Sequence, residues 1–313
     1  MRSLTAYFRL GGFVAMLLLV TRIFEDGGWP LFLLIVFIVL AIVGLVLSRS
    51  ETSAASAFPT KSAVKEKRAV AVTPKPAGNH HVHRASSVPA AAVSIDQALA
   101  SLPPWLLERS GSLFYTGREA FIGRQPLYLL GLNPGGDPDL QRRDTIRKAL
   151  DDFRGRHALW SAYLDDSWQG AAPGTWGMQP RVLHMLKELN CDPRLTPASN
   201  VVFARSRDEA ALRSEKSQLL KLCWPVHQAV IDHLGVKVIV CFGATAGKWV
   251  REQIGANRPI GEFRERNARG WKSEAHQTIN GRAVVTVTHP GRADWRNPAA
   301  DPTPLVRQIL DGR

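Results

Sequence analysis

The sequence predicts an α/β domain, a three-layer αβα arrangement with a central four-stranded, mostly parallel sheet, preceded by transmembrane helices. Three observations carry that expectation. Apolar runs alternate with amphipathic stretches from about Ile95 to the C-terminus, the pattern of successive βα units. Two of those runs, at residues 127–132 and 284–288, lead straight into Asn-Pro-Gly and His-Pro-Gly, and in an open parallel sheet such strand exits meet at the carboxyl edge where ligands bind. Residues 29–47 carry no charge and are long enough to cross a hydrocarbon core of about 30 Å as a helix.

Taken from the N-terminus, the first apolar stretch, Leu10 to Val20, lies between Arg9 and Arg22. It reads either as a first span or as the core of a secretory signal peptide. Arg22, Phe24, Glu25 and Asp26 stand where a small-x-small cleavage site would be needed, which favours a hairpin of two helices over residues 1–48. Arg2 and Arg9 precede it, and Arg49, Lys61, Lys65, Lys67 and Arg68 follow it, so both ends and the bulk of the chain are expected on the cytoplasmic side of the membrane. Residues 49–94 are rich in Ala, Ser, Pro and Lys without periodicity and read as a disordered basic tether. The cluster Asn79-His80-His81-Val82-His83 lies in it and, with no carboxylate or cysteine partner nearby, reads as solvated tether rather than a metal site.

Within the domain of residues 95–313, strands are expected at 127–132, 200–204, 236–242 and 283–288. Helices are expected near 141–153, 179–189, 213–234, 244–253 and 303–311. The segment 257–281 sets Arg258, Arg264, Arg266, Arg269 and Lys272 around Trp271 and ends in Asn280-Gly281, a turn that implies a hairpin into the last strand. Its charges suit either a phosphate-holding arm on the ligand edge or a plain solvated face.

Composition narrows the chemistry. Cys191, Cys223 and Cys241 have no C-x-x-C spacing, so neither a disulfide framework nor a four-cysteine zinc or iron–sulfur site can be built. The net charge is +13, and residues 95–313 hold 30 basic against 23 acidic groups. Such a domain is compatible with a phosphate backbone as partner, while the basic flank after the second span also suits anionic membrane lipid.

Asn133 leaves the first strand beside Pro134 and Gly135, which fix the backbone and let it approach a ligand closely. An amide there is neither acid nor base, but it can orient a water or read a heterocycle. His289 leaves the last strand in the same way, followed by Pro290 and Gly291, and a neutral imidazole at that place can donate to an oxygen gaining charge. Between them, Asn200 opens an apolar run, either as a strand cap or as the reader of a base edge. Each motif alone also fits an ordinary turn or a structural histidine.

Taken in order, Gly131-Leu132-Asn133-Pro134-Gly135, the strand-borne Asn200, the run Val238 to Ala244 and His289-Pro290 make the chain resemble the uracil-DNA glycosylase superfamily, in its mismatch-specific and single-strand-selective branches. The resemblance covers roughly Ile95 to Leu310. It implies a doubly wound αβα fold and hydrolysis of the N-glycosidic bond of uracil or a related modified base flipped out of DNA, with no metal or other cofactor. Asn133 would hold the attacking water, Asn200 would read the base edge, and His289 would stabilise the departing base anion. Trp176 would stack on the base, with Phe153 and Trp160 as further candidates. Gly291 stands where the family carries a phosphate-holding serine, and Arg292 and Trp295 would fill the space the flipped base leaves. The alternative reading is a catalytically inactive, membrane-tethered nucleic-acid or nucleotide binding or sensor module with the same fold.

Overall fold

In the computed structural model, which describes residues 93–312, Ser94 closes a capping box with Gln97 and starts the first helix, α1 (Ile95–Ala100). A second short helix, α2 (Pro104–Leu107), follows with proline in its first turn, where a missing N–H costs nothing. The expected membrane hairpin at residues 1–48, and all but the last two residues of the expected tether, lie outside the described residues. Among the described residues no helix is long and apolar enough to cross a membrane.

Among the described residues six strands form one sheet of mixed α/β architecture: β1 (Leu127–Gly131), β2 (Ala198–Asn200), β3 (Val238–Phe242), β4 (Arg258–Arg264), β5 (Lys272–Gln277) and β6 (Ala283–Val287). Their order is β2-β1-β3-β6-β5-β4, with the first four parallel and the last two joined antiparallel. The parallel strands read as unbroken apolar runs because both of their faces are covered. Alternation then sorts their side chains. Tyr128, Leu130, Ile239, Cys241 and Val284 pack on one core with α1, α2, α3 (Ile146–Gly155), α5 (Lys216–His233) and α6 (Ala244–Ile254). Leu127, Leu129, Val238, Val240, Val285 and Val287 pack on a second core with α4 (Gln179–Glu188) and α7 (Thr303–Leu310).

The four expected strands are present, but the sheet has six. Residues 258–264 and 272–277 pair with each other, and β5 pairs with β6 across the Asn280-Gly281 turn. The edge strand β4 is mostly exposed or half-buried and puts only Ile260 and Phe263 against the core, so its charged sequence hides the strand pattern. The strand expected at 200–204 occupies 198–200 instead. Its apolar continuation bends away at Asn200 and bonds elsewhere: Val201 and Val202 donate to the carbonyls of Gly131 and Leu132, and the Phe203 carbonyl accepts from Ser112. Val201 to Ala204 stay fully buried, which is why the run looks like strand.

Candidate functional site

All four parallel strands end on one edge, and antiparallel β5 begins there, so the β4–β5 turn joins that edge as well. A cleft of about 1200 Å³ opens over it. Gly131, Leu132, Asn133, Gly135, Trp176, Asn200, His289 and Arg292 line it, so the sheet brings most of the sequence-predicted residues to one place. Pro134 is buried beneath Asn133, while Gly291 lies exposed beside His289.

Asn133 sits in a loop tied down on both sides. Its Nδ2 donates to the Pro134 carbonyl at 2.8 Å and to Ser206 Oγ at 2.8 Å. The Ser206 hydroxyl proton is spent on the Asp208 carbonyl, 2.7 Å away, so toward Asn133 this oxygen can only accept. Both neighbours therefore demand the amide nitrogen, which fixes the rotamer ambiguity of the amide. The oxygen Oδ1 is left without a partner among the described residues.

Asn200 is buried at the end of β2 beside Gly131, where a Cβ would collide with its Oδ1. This is the close approach that requires glycine at the end of β1. Tyr115 lies against it: burial raises the Tyr115 phenol above its ordinary pKa, opposed by the charge of Arg205 and by hydrogen bonds with Asn200 and Ser112. Behind Asn200, the fully buried His227 takes Tyr128 Oη at 2.9 Å on Nδ1 and faces the Val201 carbonyl at 3.2 Å with Nε2. A carbonyl can only accept, so the proton is on Nε2 and the Tyr128 hydroxyl donates to Nδ1.

The tautomer of His289 follows in the same manner. Nδ1 accepts the backbone N–H of Gly291 at 2.9 Å, which leaves the proton of the neutral ring on Nε2. Burial, and then the charge of Arg292, holds its pKa below the usual imidazole value. The ring is thus a neutral donor.

Aromatic residues wall the cleft. Trp176 is half exposed in the turn just before α4. Phe153 is fixed edge-on against Phe114 and Phe121, and Trp160 is covered by the Arg156 guanidinium at 4.0 Å, with its Nε1 donating to Asp166. Sequence reasoning missed Phe114 and Tyr115, which precede the first motif and reach the cleft because Phe114 bridges to Ser199 beside Asn200. Tyr115 stacks on Tyr163 with ring centres 5.7 Å apart. It also missed Ser206, an ordinary serine in a loop whose role appears only when the parallel bridge between Gly135 and Ser206 sets it beside Asn133.

Trp295 is a correction. Its indole is fully buried, packs edge-on against Phe242 and donates to the Thr288 carbonyl at 3.1 Å, so it is a core residue and cannot fill a flipped-base space. The aromatic ring on that side of the cleft is Trp271, at the tip of the β4–β5 hairpin, with Arg269 stacked over it at 4.4 Å.

The charges around the cleft are nearly balanced. Lys148, Arg156, Arg205, Arg207, Lys272 and Arg292 face Asp144, Asp152, Asp166, Asp208 and Glu209. Lys148 is bound to Asp152, Arg207 to Asp137, and Lys272 to Glu262 and Glu274. Arg292 is exposed and has no ion pair among the described residues. In comparisons with known proteins, no family model matches the chain and no curated protein does.

Proposed function

We propose that the domain is a DNA glycosylase of the uracil-DNA glycosylase type, built on that superfamily's doubly wound αβα fold and anchored to a membrane by its N-terminal hairpin. It hydrolyses the N-glycosidic bond of uracil or a related modified base. The observation that carries this reading is the complementary pair on two strand exits of the same edge, those of β1 and β6 to either side of β3: an amide that offers only its oxygen, Asn133 Oδ1, and a neutral imidazole that offers only a proton, His289 Nε2–H.

Such a pair suits hydrolysis in which bond breaking leads. The sugar C1′–N bond breaks first, its electron pair leaves with the base, and Nε2–H stabilises the base anion as charge develops on its oxygen. Water held by Asn133 Oδ1 then bonds to C1′ and loses its proton to solvent, from which the base anion regains one. Asn133 accepts no proton, so the order does not ask it to act as a base. Asn200, recessed beside Tyr115, faces the base edge, and the aromatic wall supplies stacking. Among the described residues of the cleft, Arg292 is an exposed cation without an ion pair and can meet a phosphate.

A uracil-containing single-stranded oligonucleotide, followed for abasic product, tests this. Product from wild type and none from Asn133→Ala is expected. DNA binding without product from wild type rejects the enzyme reading. The balance of acidic and basic groups around the cleft favours a second reading, a binding module for a single nucleotide that performs no hydrolysis, because a long polyanion gains little from ion-paired cations. Retained nucleotide binding without turnover would select it.

A further inference from the structure

We infer that Ser206 is a positioning residue: it locks the Asn133 amide so that the cleft meets its carbonyl oxygen and never its NH2 group. The inference rests on the glycosylase reading only for its kinetic consequence, since the lock itself is a matter of hydrogen-bond direction. An asparagine amide presents chemically opposite faces at nearly equal steric cost, so an unsupported one samples both. Two acceptors remove that freedom here. The Pro134 carbonyl can only accept, and Ser206 is made an acceptor by giving its own proton to the Asp208 carbonyl.

The chain geometry holds the lock in place. The Ser206 backbone N–H donates to the Pro134 carbonyl at 3.1 Å, and Arg205 donates to the Gly135 carbonyl at 2.6 Å, so loop 205–208 and loop 133–135 are bound to each other at several points. Ser206 is buried, which shields its hydrogen bond from competing water. Two loops 73 positions apart in sequence thus share one small network. A water bound by Oδ1 is held in a single orientation, and a flipped amide would instead present donors to a water that must keep its lone pair for the sugar carbon.

The test uses the full-length chain with labelled asparagine, and assigns the Asn133 side-chain amide by its loss in Asn133→Ala. In wild type both Nδ2 protons should exchange slowly. Exchange as fast as in a free asparagine overturns the inference without any variant. Ser206→Ala should speed the exchange, whereas Ser206→Thr, which keeps the hydroxyl, should leave it slow. On the uracil oligonucleotide, Ser206→Ala should lower kcat about 10- to 100-fold with KM unchanged, as loss of orientation does. Should wild type give no abasic product, the glycosylase reading fails and the exchange measurement still decides the role of Ser206. Should wild type be active and Ser206→Ala match it, the positioning role fails while the function stands.

Discussion

The backbone N–H of Gly291 donates to Nδ1 of His289 at 2.9 Å, and this one bond decides what the imidazole can do in the cleft. A ring that accepts on Nδ1 carries its proton on Nε2, and protonation of Nδ1 would set two donors against each other. Burial first, and Arg292 second, already hold the pKa of His289 below the ordinary 6.5. The expected pH profile of kcat/KM is therefore flat through neutrality, with an acid limb centred below 6.5 that vanishes in His289→Asn. A limb centred at or above the ordinary imidazole value, or an Nδ1–H tautomer in nitrogen NMR, would contradict the assignment.

Gly291 stands close enough to His289 for its missing side chain to matter. A Cβ there would lie 3.0 Å from Nδ1 and 3.2 Å from Cε1, tighter than ordinary contact, so the ring must yield by a few tenths of an ångström. Gly291→Ala should reduce kcat several-fold while leaving thermal stability nearly unchanged, because the residue is exposed. A variant with full activity would show that the ring has room to spare.

The expected role of Asn133 predicts different outcomes for two replacements. Asn133→Ala removes the oxygen that holds the water, and should abolish turnover with DNA binding largely intact. Asn133→Asp sets an anionic oxygen against the Pro134 carbonyl in place of a donor 2.8 Å away. That repulsion should raise the introduced carboxyl's pKa above the usual range and shift any residual activity toward higher pH. Titration of the carboxyl by carbon NMR checks the direction.

The apolar runs made the parallel strands and most helices legible in advance, because a strand buried on both faces needs little but Val, Ile and Leu. Helix α6 was equally plain: Gly243 with φ 97° starts it and Gly255 with φ 69° ends it. Strand β4 escaped notice, since an edge strand with one open face needs only Ile260 and Phe263 inside. Site residues that leave strands were legible for a related reason, as proline and glycine mark the exits of Asn133 and His289. Ser206 and Tyr115 were not, because their importance comes from a bridge between loops and from packing against Asn200, which local sequence does not encode. Trp295 misled for the opposite reason. An aromatic near a His-Pro loop looks available, yet the Thr288 carbonyl and Phe242 claim it for the core.

Gly131 tests the placement of Asn200. A methyl group there would collide with Asn200 Oδ1, while the strand conformation itself tolerates alanine. Gly131→Ala should therefore displace the Asn200 amide and reduce discrimination between uracil and cytosine, measured as the ratio of kcat/KM values on matched oligonucleotides. An unchanged ratio would remove Asn200 from base reading, because a reader displaced by a collision cannot keep its hydrogen bonds.

Acid stability should report the buried His227 behind the site. Burial is the largest cause of its depressed pKa, held down to about 4 against the ordinary 6.5, with its bonds to the Val201 and Asn200 backbone opposing. The unfolded chain takes up a proton as pH falls through 6.5, while the folded chain resists until about 4. The contribution is thus fully present above 6.5 and lost progressively down to about 4, roughly 3 kcal/mol over that interval. In His227→Phe the Tyr128 hydroxyl and the Val201 carbonyl lose a partner, so the variant should be less stable at neutral pH by about 1–3 kcal/mol. Its stability should also fall less steeply between pH 6.5 and 4, because the proton uptake that drives the loss is gone. Urea unfolding across that range separates the two effects: a wild-type slope equal to the variant's would mean that His227 takes up its proton at the same pH in the folded protein as in the unfolded chain, against a depressed pKa.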